Sequence, residues 1–171
     1  VIRNDSAAAA ADENADQWKQ SFLRAPYLRD ELARMGYISE TFETCTTWAN
    51  FPAYDAAIRA AAQRAFAQTT GQGLVTCRFT HLYPDGPAPY YTIIAPSQRG
   101  QQLAHWDAIK QAVSQAIVDH GGTITHHHAV GKDHRPFYLA QNAALSLEML
   151  KAAKRAVDPA GIMNPGTLLP G

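Results

Sequence analysis

The chain has 171 residues, of which 46% are hydrophobic and 18% charged, so it carries enough apolar material for one domain with a real core and too much for a disordered chain. Fifteen basic and fifteen acidic side chains cancel to a formal net charge of zero, which leaves no electrostatic case for a nucleic acid or an anionic membrane as partner. No apolar run reaches the length of a membrane span, and Val1-Ile2-Arg3-Asn4-Asp5 has no signal-peptide pattern; a cytoplasmic chain drawn from the interior of a longer polypeptide is expected.

Ser6 and the five alanines after it read as linker or helix. Helical pattern runs from about Asp12 to Met35, with Trp18, Phe22 and Leu23 at helical spacing. Pro26 is expected to interrupt and restart that helix, and Gly36 to end it. Residues 37–47 are rich in β-branched and aromatic types and predict a strand. A helix over roughly 52–69 follows, with Tyr54, Ile58, Ala61, Ala62, Ala65 and Phe66 on one stripe, and Gly71 and Gly73 break it. A second strand runs from Leu74 to about Tyr83, Pro84-Asp85-Gly86-Pro87 is a turn, and a third strand over about 89–95 completes a hairpin. The next helix, about Gln102 to Asp119, carries Leu103, Trp106, Ile109, Val113 and Ile117 on one stripe. After Gly121-Gly122, residues 122–127 predict a fourth strand. A last helix over about 137–156 presents Leu139, Leu145, Met149 and Ala153, and the prolines of the ending predict a stiff, extended tail. Cys45 and Cys77 have no CxxC spacing and read as a reduced, partly buried pair.

The order over 37–127 is β-α-β-β-α-β, so the expected class is α+β: a ferredoxin-like, four-stranded antiparallel sheet with both helices on one face. Three parts are expected: an N-terminal helical segment (1–36), the ferredoxin-like cap (37–128), and a C-terminal helix and tail (129–171). The uncovered face of the sheet must meet solvent, another domain or a ligand. With the hairpin loop centred on Gly86, Arg78, Thr80 and Leu82 share that open face with Tyr90, Thr92 and Ile94. Val75, Cys77, Phe79, Tyr91 and Ile93 lie under the helices.

The densest run of chemically capable side chains is His126-His127-His128. Being internal, it is not a purification tag. On an extended strand neighbouring side chains point to opposite faces, so only His126 and His128 share a side, and no metal site is expected. Proton transfer, hydrogen bonding to an anionic ligand, and plain surface or capping histidines remain open. Gly131-Lys132 lacks the rest of a phosphate-binding loop, and His81, His105, His120 and His134 stand alone.

Gly121-Gly122-Thr123-Ile124-Thr125-His126-His127-His128-Ala129-Val130-Gly131-Lys132 closely resembles the histidine-triplet motif of the alkyldihydroxyacetonephosphate synthases. Val157-Asp158-Pro159-Ala160-Gly161-Ile162-Met163-Asn164-Pro165-Gly166 is similar to the ending of FAD-linked oxidases of the vanillyl-alcohol-oxidase type. Pro26-Tyr27-Leu28-Arg29-Asp30 leading into Glu40-Thr41-Phe42-Glu43-Thr44, and Cys77-Arg78-Phe79-Thr80 leading into Tyr83 and Tyr90, also resemble the synthases. Together these stretches cover about residues 20–170.

The resemblance implies roles for particular residues. Tyr90 is acid and base toward substrate. Arg29, with Arg78 on the same open face, binds substrate. His126, His127 and His128 serve catalysis and line a flavin-facing cavity. The tail from Pro165 to Leu169 matters for activity, so His127, His128, Asn164, Pro165, Gly166 and Leu168 are expected beside the cofactor. Ala129 stands where the synthases usually have glycine, and Asn164-Pro165-Gly166 is closer to the oxidases.

The family's glycine-rich pyrophosphate-binding segments do not occur in this sequence, so FAD is expected to be held mainly by a separate FAD-binding domain of the same parent chain. The implied activity is flavin-dependent oxidation of a small hydroxylated, anionic substrate. Its rivals are ether-lipid precursor synthesis by exchange on the flavin and a non-catalytic ferredoxin-like binding module. A homodimer is left open.

Overall fold

Alternation of side chains builds one antiparallel sheet from β1 (Tyr37–Glu43), β2 (Leu74–Leu82) and β3 (Pro87–Pro96), in the order β1-β3-β2. The structure is a computed structural model that describes residues 5–169. Cys77 pairs with Tyr91 and Tyr91 with Phe42, and Val75 pairs with Ile93; these residues form the inward face. They pack against α2 (Phe51–Gln68) and α3 (Gln102–Asp119). The buried residues of α2 are Tyr54, Ile58, Ala61, Ala62, Ala65 and Phe66, the stripe its periodicity predicts. On α3, Ile109, Val113 and Ile117 are buried while Leu103 remains exposed. Each fully buried large apolar side chain contributes about 1.5–3 kcal/mol of transfer free energy.

Two buried phenols find polar partners. Tyr54 Oη lies 2.7 Å from Thr44 Oγ1, and Tyr91 Oη donates to Asp55 Oδ1 at 3.0 Å. Burial holds both phenols above the ordinary tyrosine range.

The open face carries Glu43, Tyr90 and Arg78 in one cross-strand row and Thr41, Thr92 and Thr76 in the next. The expected register therefore holds as far as Phe79. Between Phe79 and His81 the pairing slips by one residue. This bulge sets His81 opposite Ala88 and moves Leu82 opposite Pro87, onto the other parity from Tyr90, a correction to the expected face of Leu82.

The fourth strand is absent. Residues 122–127 run beside the end of β1, with Thr123 N–H donating to Cys45 O and His126 N–H to Glu43 O, but they form no ladder. The Gln141 side chain occupies two of the groups a ladder would use: its Oε1 accepts from Ile124 N–H at 2.9 Å and its Nε2 donates to Gly122 O at 2.6 Å. The sheet thus has three strands, and the four-stranded ferredoxin-like arrangement is not completed.

Three further expectations change. Helix α1 (Asp5–Arg34) runs unbroken through Pro26; a proline removes one ladder bond but does not end a helix supported on both sides. Gly36, at φ +86°, does end the turn that follows it. Of the N-terminal stripe, Trp18 and Phe22 lie outside the described side chains, and Leu23 is exposed. The predicted last helix is two, α4 (Arg135–Gln141) and α5 (Ala144–Val157), because Asn142 Nδ2 donates to Tyr138 O at 2.7 Å and the backbone there turns extended. The tail is folded back on itself rather than extended. Asp158 accepts from the N–H groups of Ile162 and Met163, both at 3.1 Å, and Asn164, Gly166 and Leu168 all have positive φ.

Both cysteines are free and part-buried. Among the described residues no helix is long and apolar enough to cross a membrane.

Candidate functional site

Helix α1 crosses the open face and makes one wall of a groove of about 740 Å³ whose floor is the sheet. Arg29 from α1, Arg78 from β2 and Tyr90 from β3 all line it, among the hydroxyls of Ser39, Thr41, Thr76 and Thr92. The Arg78 guanidinium carbon sits 4.6 Å from the centroid of the Tyr90 ring, close enough for a cation–π contact. Among the described residues, Arg29 has Asp30 as its ion-pair partner, at 3.7 Å and in solvent, a pair worth little. The groove therefore presents two cations and a phenol to whatever enters it.

A second groove of about 510 Å³ shares Arg29, Ser39, Glu40 and Thr41 with the first and reaches His128, His134 and Lys110. Lys110 is buried, lies 2.9 Å from Glu40 Oε1 and sits over the Phe42 ring at 4.4 Å. Trp106 Nε1 donates to the other Glu40 oxygen.

The triplet closes one end of the open face, and one carboxylate gathers it. Glu43 Oε1 accepts from Thr80 Oγ1 at 2.7 Å and lies 3.0 Å from His126 Nδ1, while Oε2 lies 3.8 Å from His128 Nε2. His81 Nδ1 is 3.5 Å from Oε1, buried and, among the described residues, without a hydrogen-bond partner. Burial works to raise the Glu43 pKa, but hydrogen bonds from Thr80 and His126 and the charges of His128 and His126 outweigh it, so the carboxyl sits below the usual range. The His128 pKa is lowered as well: burial disfavours its charged form, partly offset by Glu43. Its ring meets Tyr90 edge-on, centroids 5.6 Å apart.

His127 departs from strand geometry, with φ of +57°. It is exposed and stacks on His81, centroids 4.5 Å apart and planes 2° from parallel. His81, His126 and His127 consequently bring ligand-capable nitrogens within 4.8 Å of one another. The strand argument that separated neighbouring histidines does not apply to this set.

Glu43 and His81 are the site residues that sequence reasoning missed. Glu43 had a signal: Ile38 and Phe42 share one parity and are buried, which places Glu43 on the opposite, open face beside Tyr90. His81 had none, because the bulge that aims it depends on tertiary pairing.

The tail residues go elsewhere. Leu168 N–H donates to Gly131 O at 3.2 Å and Arg135 Nη1 donates to Gly166 O. Asn164 and Leu168 line a cavity with Ala129, Val130 and Gly131, and Pro165 and Gly166 line its neighbour along α5. The tail thus braces the loop after the triplet.

The family model for FAD linked oxidases, C-terminal domain, matches residues 2–168. A curated alkyldihydroxyacetonephosphate synthase of Caenorhabditis elegans is 34% identical over 161 residues, 92% of this chain and 27% of that protein. The synthase of Trypanosoma brucei brucei is 26% identical over 170 residues, 99% of this chain and 28% of that protein. A solved alkyldihydroxyacetonephosphate synthase superposes with a TM-score of 0.61 at 18% identity, covering 87% of this chain and 24% of that one; it speaks for the fold. The chain belongs to the FAD-linked oxidase family, as its C-terminal domain. It spans less than a third of the curated relatives it matches.

Proposed function

We propose that this domain is the substrate-binding cap of an FAD-dependent oxidoreductase acting on a small, hydroxylated, anionic substrate. The observation that carries the reading is the groove in which Arg29, Arg78 and Tyr90 meet. Two guanidinium groups suit a carboxylate or phosphate, which Arg pairs bidentately, and the phenol lies close to Arg78, which stabilises a developing phenolate.

FAD, held mainly by a separate domain of the same parent chain, supplies the hydride acceptor in such a site. The residues here suit the substrate side of that cofactor: the groove is open and polar, and the sequence has no glycine-rich diphosphate-binding segment. Arg29 and Arg78 fix the anion, Tyr90 moves the hydroxyl proton, and the histidines around Glu43 take it on. His127, His128, Asn164, Pro165, Gly166 and Leu168 are the residues assigned to the cofactor's edge, with the tail acting through the loop at Ala129–Gly131.

A second reading is favoured by the histidine triplet and by the names of the synthase relatives: alkyl exchange on a phosphate-bearing substrate in the same groove. It uses the same arginines and the same phenol.

Anaerobic mixing of the FAD-loaded parent with a panel of small 2-hydroxy acids and hydroxyalkyl phosphates tests the proposal. Bleaching of the flavin by one member is the expected result. Alkyl transfer without consumption of an electron acceptor selects the second reading. A desalted preparation of this chain alone that stays stoichiometrically yellow overturns the assignment of FAD to another domain.

A further inference from the structure

Glu43 is a carboxylate with three imidazoles around it, and it sits on the open face beside Tyr90, its cross-strand neighbour. Its side chain is only 6% exposed. A buried carboxylate surrounded by hydrogen-bond donors is ionised and accepts only. That fixes the proton on His126. The nitrogen facing Glu43 Oε1 at 3.0 Å is Nδ1, so Nδ1 carries the hydrogen and the neutral ring has Nε2 bare. Nε2 in turn lies 3.1 Å from Tyr83 Oη, and the only proton available to that contact is the phenol's.

We propose that Glu43 is the positioning residue of the histidine cluster, holding His126 in the Nδ1–H form so that Glu43, His126 and the Tyr83 hydroxyl make one proton relay. The inference rests on the reading of this face as a substrate site. Thr80, from the bulge in β2, donates the second hydrogen bond that keeps Oε1 in place. The loop also contributes, since His126 N–H donates to Glu43 O at 2.8 Å, which ties the backbone of the triplet to the residue whose side chain orients it.

The proton balance is simple. Tyr83 gives its hydroxyl proton to His126 Nε2 and regains one through solvent, the proton that Tyr90 takes from the substrate hydroxyl. The imidazolium so formed keeps its Nδ1–H bond to Glu43, whose negative charge compensates it, as orienting carboxylates do in carboxylate–imidazole–hydroxyl arrangements. No oxidant enters this step; protons shift along the relay, and the net change is one proton lost by the substrate hydroxyl and one gained by His126. Tyr83 is part-exposed and stacks with His81, ring centroids 5.9 Å apart, so its hydroxyl is reachable from solvent and held in orientation.

Two-bond ¹H–¹⁵N spectra of the ¹⁵N-labelled chain at mildly alkaline pH read the tautomer directly. The expected result is Nδ1–H at His126, retained in Tyr83→Phe and lost in Glu43→Gln, which keeps the size of residue 43 and removes its charge. Nε2–H at His126 in the unaltered chain overturns the proposal whether or not either variant folds. Loss of the Nδ1–H form in Tyr83→Phe, with retention in Glu43→Gln, overturns it as well. In the FAD-loaded parent, Glu43→Gln is expected to lower kcat on the order of 10²-fold with little change in KM, the scale of a misplaced catalytic group; an unchanged kcat overturns the relay. Normal turnover in Tyr90→Phe defeats the reading of the groove instead, and leaves the tautomer result to judge Glu43 separately.

Discussion

His127 lies flat on His81, the two rings 4.5 Å apart and 2° from parallel. Two local irregularities make that contact. The bulge at Phe79/His81 turns His81 onto the open face, and the left-handed backbone at His127 swings its ring out of the strand direction. Regularising either one separates the rings.

Tyr90→Phe removes one hydroxyl and almost no volume from the groove. In the FAD-loaded parent it is expected to lower turnover by about 10²–10⁴-fold, the usual contribution of a general acid or base, while flavin content and thermal midpoint stay as they were. Stopped-flow turnover beside calorimetry checks this. A turnover within about threefold of the unaltered enzyme makes Tyr90 a packing residue whose hydroxyl needs only a partner.

Alanine at each triplet position should give three different outcomes. His126→Ala deprives Glu43 of a bonded partner in a buried setting and is expected to cost about 1–3 kcal/mol of stability. His127 is exposed, and His127→Ala should stay within about 0.5 kcal/mol. His128→Ala should fall between them in stability and depress turnover through its contact with Tyr90. Calorimetry and turnover on all three decide it. Equal, large stability losses with normal turnover in the folded fraction make the triplet structural, and activity restored by added zinc assigns His81, His126 and His127 to a metal instead.

Burial holds His128 and His134 below the ordinary histidine value of 6.5. Both are therefore neutral in the fold and take up a proton more readily unfolded. Their contribution is fully present above 6.5 and is lost as pH falls through their folded values. Glu43, depressed below 4.5, adds a second loss at lower pH, as its carboxylate is protonated. Urea unfolding across a pH series should show stability falling in these two stages. His128→Gln with His134→Gln should flatten the upper stage alone; a flat curve between neutral pH and 4.5 in the unaltered chain would refute the burial argument.

Gly122 touches Tyr54: a Cβ placed there falls 2.3 Å from the Tyr54 hydroxyl and within 2.6 Å of two ring carbons. Tyr54 is fully buried and bonded to Thr44, so it has no room to give way. Gly122→Ala is expected to destabilise by about 1–3 kcal/mol and to disturb the histidines four to six residues on. Tyr54→Phe should rescue it only in part, because the ring carbons remain. Full rescue would locate the strain in the hydroxyl alone.

Much of this was legible from residue order. The stripe of α2 and the pairing of Arg78 with Tyr90 both follow from periodicity, because helix and strand burial repeat with fixed spacing. The grouping of Tyr90, Arg78 and Arg29 followed from the hairpin register together with family resemblance. What was not legible depended on side chains replacing backbone partners. Gln141 takes the place of a ladder at Gly122 and Ile124, Asn142 breaks the last helix by bonding Tyr138 O, and Asp158 curls the tail by capping Ile162 and Met163. Each is a polar residue whose local sequence suits helix or turn equally, and only the fold decides which bond it makes.

The Gln141 clamp also sets how the triplet can be rearranged. A true edge strand shifts register only in whole residues, and every such step turns its side chains to the opposite face. A loop held by a carboxamide on α4 and by single backbone bonds from Thr123 and His126 to the end of β1 has no such quantum. It can change length on the far side, between Ala129 and His134, while Gly122 and Ile124 stay anchored and His126 keeps its place beside Glu43. His127 and His128 can therefore be displaced by small steps through changes in that loop, with the sheet left untouched.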